Sequence, residues 1–393
     1  MKNRAYIILG DSFTFPEGDA ATNRVYTYAK GLAENGVPVH VVCFRNDYVS
    51  IHSGETEGIN YHLPFRQSAR SPYFIIRRIN NLGKYLNTIR LFRQIQKEHG
   101  IENVIAYTIR KNTQLFGFLL SRIFRSNLIL ERSEHPFKSY NTWIGENISG
   151  RFRVVFEIVF SDYIFCISSY LADFYIRKGA REKKLFKVPS TVDVTRFNII
   201  YDRKLPFQYI CYSGSLTRQK DGVDILIRSF SNIALEFPDI KLVLVGKADT
   251  TEDELFFREL VKTMDIENRV LFTGKVPRNE IPSYICNAEL LVLARPESIV
   301  ADAGFPSKVS EYLATGRPVV VTRVGEIPDY LTHNQTAFLA EPGSVDDFSA
   351  RMRSALRNKD LAVKVGLSGR EIARTVFNYK LQASRILSFL EKV

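Results

Sequence analysis

Cysteine is scarce in this chain, and its four cysteines (Cys43, Cys166, Cys211 and Cys286) stand far apart, with no C-x-x-C pair. That spacing excludes a disulfide framework and paired-cysteine zinc sites, and it is what reduced core thiols of a cytoplasmic protein look like. Long apolar runs are also missing. No stretch reaches the ~18 apolar residues that a membrane-crossing helix needs. The most apolar region, Val154 to Ile167, is broken by Glu157 and Asp162. After Met1-Lys2-Asn3-Arg4 the apolar run extends only from Ala5 to Leu9, and Asp11 soon follows, so no signal peptide is expected. The stretch from Ile8 to Glu17 supplies no G-x-G-x-x-G, which argues against a dinucleotide cofactor. Neither an internal repeat nor a low-complexity tract is visible.

Acidic residues are in deficit, and only in one half. Residues 1–200 hold 28 Lys+Arg against 17 Asp+Glu, whereas residues 201–393 hold 26 against 25. The first half therefore carries almost all of the +12 net charge. Such asymmetry suits an anionic membrane surface, an acidic substrate or nucleic acid. Nucleic acid is the weakest of these readings, because the charge lies away from the motif-bearing half. Between Arg66 and Lys97, Arg77, Arg78, Lys84, Arg90 and Arg93 alternate with Phe74, Ile75, Ile79, Leu82 and Leu86. A basic helix with bulky apolar residues reads as a membrane-surface element. The same pattern also fits an amphipathic helix that covers a sheet and keeps a solvated basic face.

What is present is a repeating alternation of short β-rich runs and helical stretches. The runs Ala5 to Leu9, Val39 to Phe44, Val104 to Ala106, Leu128 to Glu131, Tyr163 to Ile167 and Phe186 to Pro189 come first, with helices such as Ala20 to Asn35 and Tyr73 to Lys97 between them. The pattern restarts with Tyr209 to Ser213, Leu242 to Val245, Val270 to Thr273, Leu290 to Leu293, Val319 to Thr322 and Ala337 to Leu339. Alternation of this kind predicts α/β architecture with parallel sheets. At 393 residues the chain suits two domains. Thr191 to Phe207 has neither a clear strand nor a long helix and reads as the linker. The expectation is two doubly wound, Rossmann-like domains, 1–195 and 196–370, with an interdomain cleft where the strand ends face each other.

Two segments of the second half carry chemistry. In AGFPSKVSEYLATGRPVVVTRVGEIPDYL, from Ala303 to Leu331, a loop runs into a helix whose first turn contains Pro306; Gly316 stops the helix and Pro318 follows. The first turn of a helix offers free N–H groups and a positive dipole end to an anion. Glu311 lies one turn further, on the face of Ser307 and Lys308. The segment can thus hold a phosphate at its tip and a hydroxylated ring beside it, as a nucleotide-sugar site requires. Earlier, a strand ends at Gly214 and a helix begins near Gly222, with Arg218 and Lys220 in the loop. Cations there suit a diphosphate, although a solvated basic loop has the same composition.

Six pieces in order carry a resemblance. They are FPEGDAATNRVYTYAKGLAENGVPVHVVCF, ISSYLADFYIRKGA with FKVPSTVDVTRF, YSGSLTRQKDGVDILIRSF, LVLVGKA, VLFTGKVPRNEIPSYICNAELLVLARP and GFPSKVSEYLATGRPVVVTRVGEIPDYL. Over nearly its whole length the chain resembles retaining glycosyltransferases of family four, which have the GT-B fold of two facing Rossmann-like domains. The resemblance implies that Gly214 admits the donor diphosphate and that Lys220 contacts it. The family's arginine after the glycine is Ser215 here, with Arg218 the nearest substitute, and Asp221 is an extra spacer before Gly222. Lys275-Val276-Pro277 would lie near the base. Gly304, Phe305 and Ser307 would present N–H groups to phosphate and sugar oxygens, and Glu311 would hold the ribose hydroxyls, since a carboxylate accepts from both members of a vicinal diol. The first carboxylate of the family's E-x7-E pattern is Ala303 in this chain, and Asp302 or a backbone amide is expected to take its place.

For the first domain the resemblance points to the loop Arg132-Ser133-Glu134-His135-Pro136, with His135 or Glu134 as the catalytic contact near the donor sugar. Gly18, Asp19 and Arg24 would lie beside acceptor and donor phosphates; Arg24 could equally salt-bridge Asp19. The helix 371–393 would cross back onto the first domain. Lys220, Arg218 and the helix start at Pro306 would face the charge that develops on the departing nucleoside diphosphate. No Asp-x-Asp with a histidine marks a metal site, so metal-independent transfer is expected, with no cofactor and the nucleotide sugar (UDP- or GDP-linked) as substrate. The implied setting is bacterial surface polysaccharide synthesis on a glycan or lipid-linked acceptor, at the inner face of the plasma membrane. A nucleotide-sugar 2-epimerase and a degenerate non-catalytic nucleotide-sugar binder are the rival readings.

Overall fold

The structure, a computed structural model, describes residues 4–136 and 148–392. The chain divides into two compact units, Met1–Thr191 with Tyr379–Val393, and Val192–Asn378.

In the first unit the strands are β1 (Ala5–Gly10), β2 (Val39–Cys43), β3 (Ser53–Thr56), β4 (Ile59–His62), β5 (Ile101–Tyr107), β6 (Asn127–Arg132), β7 (Tyr163–Cys166) and β8 (Leu185–Lys187). They form one sheet in the order β3-β4-β2-β1-β5-β6-β7-β8, parallel except for the β3–β4 hairpin. Strand β1, AYIILG, is buried along its entire length, as expected of a parallel strand covered on both faces. The β3–β4 hairpin is an addition to the strands expected from sequence. Apart from buried Ile59, its residues in SGET and INYH are exposed or half-exposed and mostly polar, so they carry no continuous apolar run.

The second unit holds β9 (Gln208–Ser213), β10 (Ile240–Val245), β11 (Val270–Gly274), β12 (Leu290–Leu293), β13 (Val319–Thr322) and β14 (Phe338–Ala340). Their order is β11-β10-β9-β12-β13-β14, and all are parallel. In this doubly wound order the direction of winding reverses between β9 and β12, and ligands of such sheets bind outside the carboxyl ends at that point. The segment read as a linker is folded. Val194–Phe197 forms a 3-10 helix, capped by Asp193, with Val194 and Phe197 buried.

The domain boundaries move accordingly. The first crossing falls after Thr191 instead of Thr195, because Val192 donates to the Phe377 carbonyl at 2.8 Å and pairs with Asn378 within the second unit. The return begins at Tyr379, not at residue 371, because the helix Lys359–Thr375 packs on the helix Ser307–Thr315 and belongs to the second unit. From Tyr379 onward, the helix Tyr379–Lys392 packs on the helix Ala20–Glu34. The Tyr379 hydroxyl meets Glu34 at 2.8 Å, and Phe389 stacks on Phe186 at 4.5 Å. Cys43, Cys166 and Cys211 are buried free thiols, and Cys286 is half-buried. Burial raises the pKa of all four, that of Cys286 to about 11.

Candidate functional site

At the carboxyl end of β9 the chain turns at Gly214, with φ +148°, a conformation that costs glycine little. A Cβ there would lie 2.4 Å from Lys308 Nζ, so the turn and the start of the helix Ser307–Thr315 meet directly. Lys308 Nζ donates to Asp221 Oδ2 at 2.7 Å and to the Tyr212 hydroxyl at 2.9 Å. The ammonium also lies 4.6 Å from the Tyr212 ring centre. A second tie is Tyr312, whose hydroxyl accepts from the Ser213 N–H at 2.7 Å. Gly222, at φ +64°, joins the short helix Arg218–Asp221 to the helix Val223–Ala234. Any Cβ on Gly222 would fall 2.0 Å from the Ala294 carbonyl oxygen, just past β12. Thus the loops after β9 and β12 close on each other at the point where the winding reverses.

The charges are arranged around one buried acid. Burial pushes the Asp221 carboxyl up, but Lys308 beside it outweighs burial, with Arg295 and the Tyr212 hydroxyl assisting, and holds it below the ordinary value. Asp221 is therefore ionised and fixes Lys308 in place. Arg295, buried behind β12, donates to the Val300 carbonyl at 3.0 Å.

One turn along the same helix, Glu311 faces the 3-10 helix of the second unit, and Arg196 Nη1 lies 3.6 Å from its Oε1. Burial raises the Glu311 carboxyl above its ordinary value, while Arg196, Arg278 and Lys308 oppose that rise. Arg196 also donates to the Arg278 carbonyl at 3.4 Å, which brings the segment after β11, with half-buried Val276, toward Glu311. The structure thus gathers Gly214, Lys308, Glu311 and the 275–278 segment at one end of the sheet. Lys220 is exposed on the short helix, close enough to act on the Lys308 charge.

Other expected residues have different partners. Arg218 donates to Asp253 at 2.7 Å and Glu252 at 2.8 Å and stacks over Phe256, so its guanidinium serves the helix Thr251–Thr263. Ser215 contributes its carbonyl, 2.6 Å from the Tyr212 hydroxyl. Pro306 precedes the helix as its cap with ψ 111°, where the first turn was expected. The Gly304 N–H closes the helix Ile299–Ala303 by donating to Val300, so it is spent internally. Phe305 is buried against Tyr330 and Phe377 and anchors the loop. Among the described residues no backbone carbonyl takes the N–H of Ser307 or Lys308. Asp302 sits beside the fully buried Ala303. Burial and Glu297 raise its carboxyl, which accepts from the Gly325 N–H.

In the first unit, Asp19 caps the helix Ala20–Glu34 by accepting from Ala21 and Thr22, and a Cβ on Gly18 just before it would run into Thr14 and Thr22. Arg24 does not pair with Asp19. It points inward to an ion pair with Glu131 and donates to the Val188 and Pro189 carbonyls at 2.8 and 2.9 Å. The reason is helical geometry, since a cap turns back on its own N–H groups while residue 24 faces the sheet. His135 is buried edge-on against Phe174 at 4.9 Å, and Glu134 is exposed. The His135 loop rests on buried Arg132, 3.0 Å from Glu157, which also meets Arg153 at 2.9 Å. Among the described residues, no three or more His, Cys, Asp and Glu are grouped to hold a metal ion.

Four residues escaped the sequence reading: Arg196, Arg295, Tyr212 and Asp221 as the anchor of Lys308. All four lie inside the pieces that carry the resemblance, but their partners there could not be read from spacing. Arg196 lies in the apparent linker and Asp221 in an apparent insertion, so only the fold joins them to the glycine turn and to Glu311.

Residues 199–372, within the second unit, match the family described as Glycosyl transferases group 1. Mannosylfructose-phosphate synthase of Agrobacterium fabrum is 27% identical over 227 residues, which cover 54% of this chain and 49% of that protein. A GDP-mannose-dependent alpha-(1-6)-phosphatidylinositol monomannoside mannosyltransferase of Mycobacterium tuberculosis is 25% identical over 242 residues, covering 58% of this chain and 62% of that one. This chain therefore spans about half to three-fifths of the length of these curated relatives. Among solved structures, HepE of Anabaena in complex with UDP superposes on 99% of this chain and 100% of its own, at 17% identity and a TM-score of 0.69. The fold is GT-B, built from two Rossmann-like α/β units.

Proposed function

We propose that this chain, which belongs to the glycosyl transferases group 1 family through residues 199–372, is an enzyme that moves a sugar from a UDP- or GDP-sugar to a glycan or lipid-linked acceptor. The observation that carries the reading is the meeting of the Gly214 turn with Lys308, clamped by Asp221, on the helix that also presents Glu311. A nucleoside diphosphate at this turn would have its phosphates on Lys308 and the first-turn N–H groups, and its ribose on Glu311. As the sugar departs, negative charge grows on the diphosphate, where a fixed cation lowers the barrier most. Side-chain cations thereby fill the role a metal would take. His135 or Glu134 is assigned to the donor sugar, and Gly18, Asp19 and Arg24 to the acceptor side, with Arg24 acting by orienting Glu131. The transfer is assigned retention of configuration and a place in bacterial surface polysaccharide synthesis at the cytoplasmic face of the membrane, and a relative named as a phosphatidylinositol monomannoside mannosyltransferase supports the lipid-linked acceptor.

Calorimetric titration with UDP-, GDP- and dTDP-sugars tests the site. One of these should bind, and Lys308→Ala and Glu311→Ala should each weaken it by about tenfold or more, the scale of a charge-assisted hydrogen bond. Unchanged affinity in both variants would remove the assignment. Epimerised donor in the absence of any acceptor would redirect the reading to an epimerase. Binding without turnover across an acceptor panel would leave a nucleotide-sugar binder, a result that the absent carboxylate at Ala303 makes worth recording.

A further inference from the structure

Helices that connect parallel strands of a sheet take the side set by the right-handed crossover rule. In the first unit the chain moves in one direction across the sheet from β4 to β5, β5 to β6 and β6 to β7. The helices Phe74–Glu98, Lys111–Ile123 and Ile148–Phe160 on those connections therefore share one face. They are neighbours as well: Tyr85 meets Phe116 at 4.8 Å, and Phe118 meets Phe160 at 4.8 Å.

Each helix buries its inner face and still has an apolar outer one. On the first, Ile75, Ile79, Leu82 and Leu86 repeat at helical spacing and are exposed, Ile75 at 71%. The second exposes Leu115, Leu119 and Ile123, the last at 65%. On the third the exposed residues are Phe152, Val155 and Val159, with Phe152 at 68%. A single exposed leucine needs no explanation, but exposed apolar stripes on three neighbouring helices of one sheet face do. The charge around them is mostly positive, with Asp162, just past the third helix, paired to Arg122 of the second. The helix Phe74–Glu98 carries six Lys and Arg against Glu98 alone, and Lys111–Ile123 carries no acid. The one acid of Ile148–Phe160, Glu157, is buried and paired.

We infer that this three-helix face lies on an anionic lipid surface, with the stripes in the acyl boundary and the Arg and Lys side chains reaching back to headgroup phosphates. A second copy of the chain is a poor occupant, since two such faces would bring cations against cations. The surface stands independently of the donor-site reading.

Vesicle co-sedimentation tests it with the whole protein. Wild type should sediment with phosphatidylcholine vesicles that contain about one-third phosphatidylglycerol, and far less with phosphatidylcholine alone. The triple variant Ile79→Gln, Leu119→Gln, Val159→Gln, one change per helix, should lose about tenfold or more of that binding. Arg78→Gln, Arg90→Gln, Arg93→Gln should retain only the weak binding seen on neutral lipid and lose its salt dependence. Should the triple variant fail to fold, each single change read alone should still weaken binding. Donor calorimetry on the same variants should not change, which keeps this test separate from that of the nucleotide site. Absence of wild-type sedimentation on anionic vesicles, full binding by the apolar variants, or a dimer in sedimentation velocity that those variants dissolve would each overturn the inference.

Discussion

Asp221 keeps a negative charge where water hardly reaches, and Lys308 is what makes that tolerable. Removing one member of a buried pair costs about 3–5 kcal/mol, because the other is left without compensation. Lys308→Met should therefore destabilise the second unit by about that much in urea unfolding, whereas Lys308→Met with Asp221→Leu should recover most of the loss. A strictly additive double variant would show that the two do not act as a pair. The sequence revealed Lys308 only as a neighbour of Glu311 on one helix face. That it reaches the glycine turn depends on Asp221, a residue that looks like a one-position insertion before Gly222. Glycines and the helix start were readable because each demands a particular backbone. Partners of buried cations were not, because ion pairs form across long sequence separations, as between Arg24 and Glu131. The local pairing of Arg24 with Asp19 was a fair expectation from adjacency, but capping geometry overrides it.

Two strand elements at the edge of the first sheet bring histidines together. His40 of β2 and His62 of β4 share a hydrogen bond, with ring nitrogens 3.1 Å apart. One ring must accept, so the bond exists only while at least one is neutral. Burial lowers both, with His62 and His99 adding to the effect on His40 and Arg66 to that on His62, and each titrates at about 4 while Glu98 opposes. The unfolded chain takes up these protons near its ordinary value of about 6.5, so stability should fall as pH drops from there to about 4 and then level off for this pair. The loss is about 3 kcal/mol for each histidine, and His62→Gln should flatten that part of the pH–stability curve. A parallel curve for the variant would refute it. The hairpin that carries His62 was illegible, since its four-residue strands bury only one hydrophobic side chain, Ile59, fully, too few to set a pattern. Helices were easier to read, but their packing was not. In Lys359–Thr375 a Cβ on Gly366 would meet the Gly316 oxygen at 2.3 Å. Gly366→Ala should accordingly lower stability by about 1–3 kcal/mol although alanine favours helix. A raised melting temperature would contradict that contact.

The chain builds two separate cores, and the last helix returns to the first of them. Ile386 is fully buried there, among residues such as Val25 and Phe165. Ile386→Ala should cost about 2–5 kcal/mol in the unfolding of the first unit and leave donor calorimetry in the second unit unchanged. A loss confined to the second unit would place the helix elsewhere. Alternation of strands and helices was enough to foresee both cores, because burial on two faces demands continuous apolar runs such as VVVT and LLVL. The crossing points were less visible: a short 3-10 helix and three residues after Thr375 decide them, and neither has a periodicity. The four sheltered sulfhydryls have a practical corollary. Alkylating reagents attack thiolates, and burial keeps these groups protonated at neutral pH. A spectroscopic label introduced through one engineered surface cysteine should therefore report from that position alone, without first stripping the native ones.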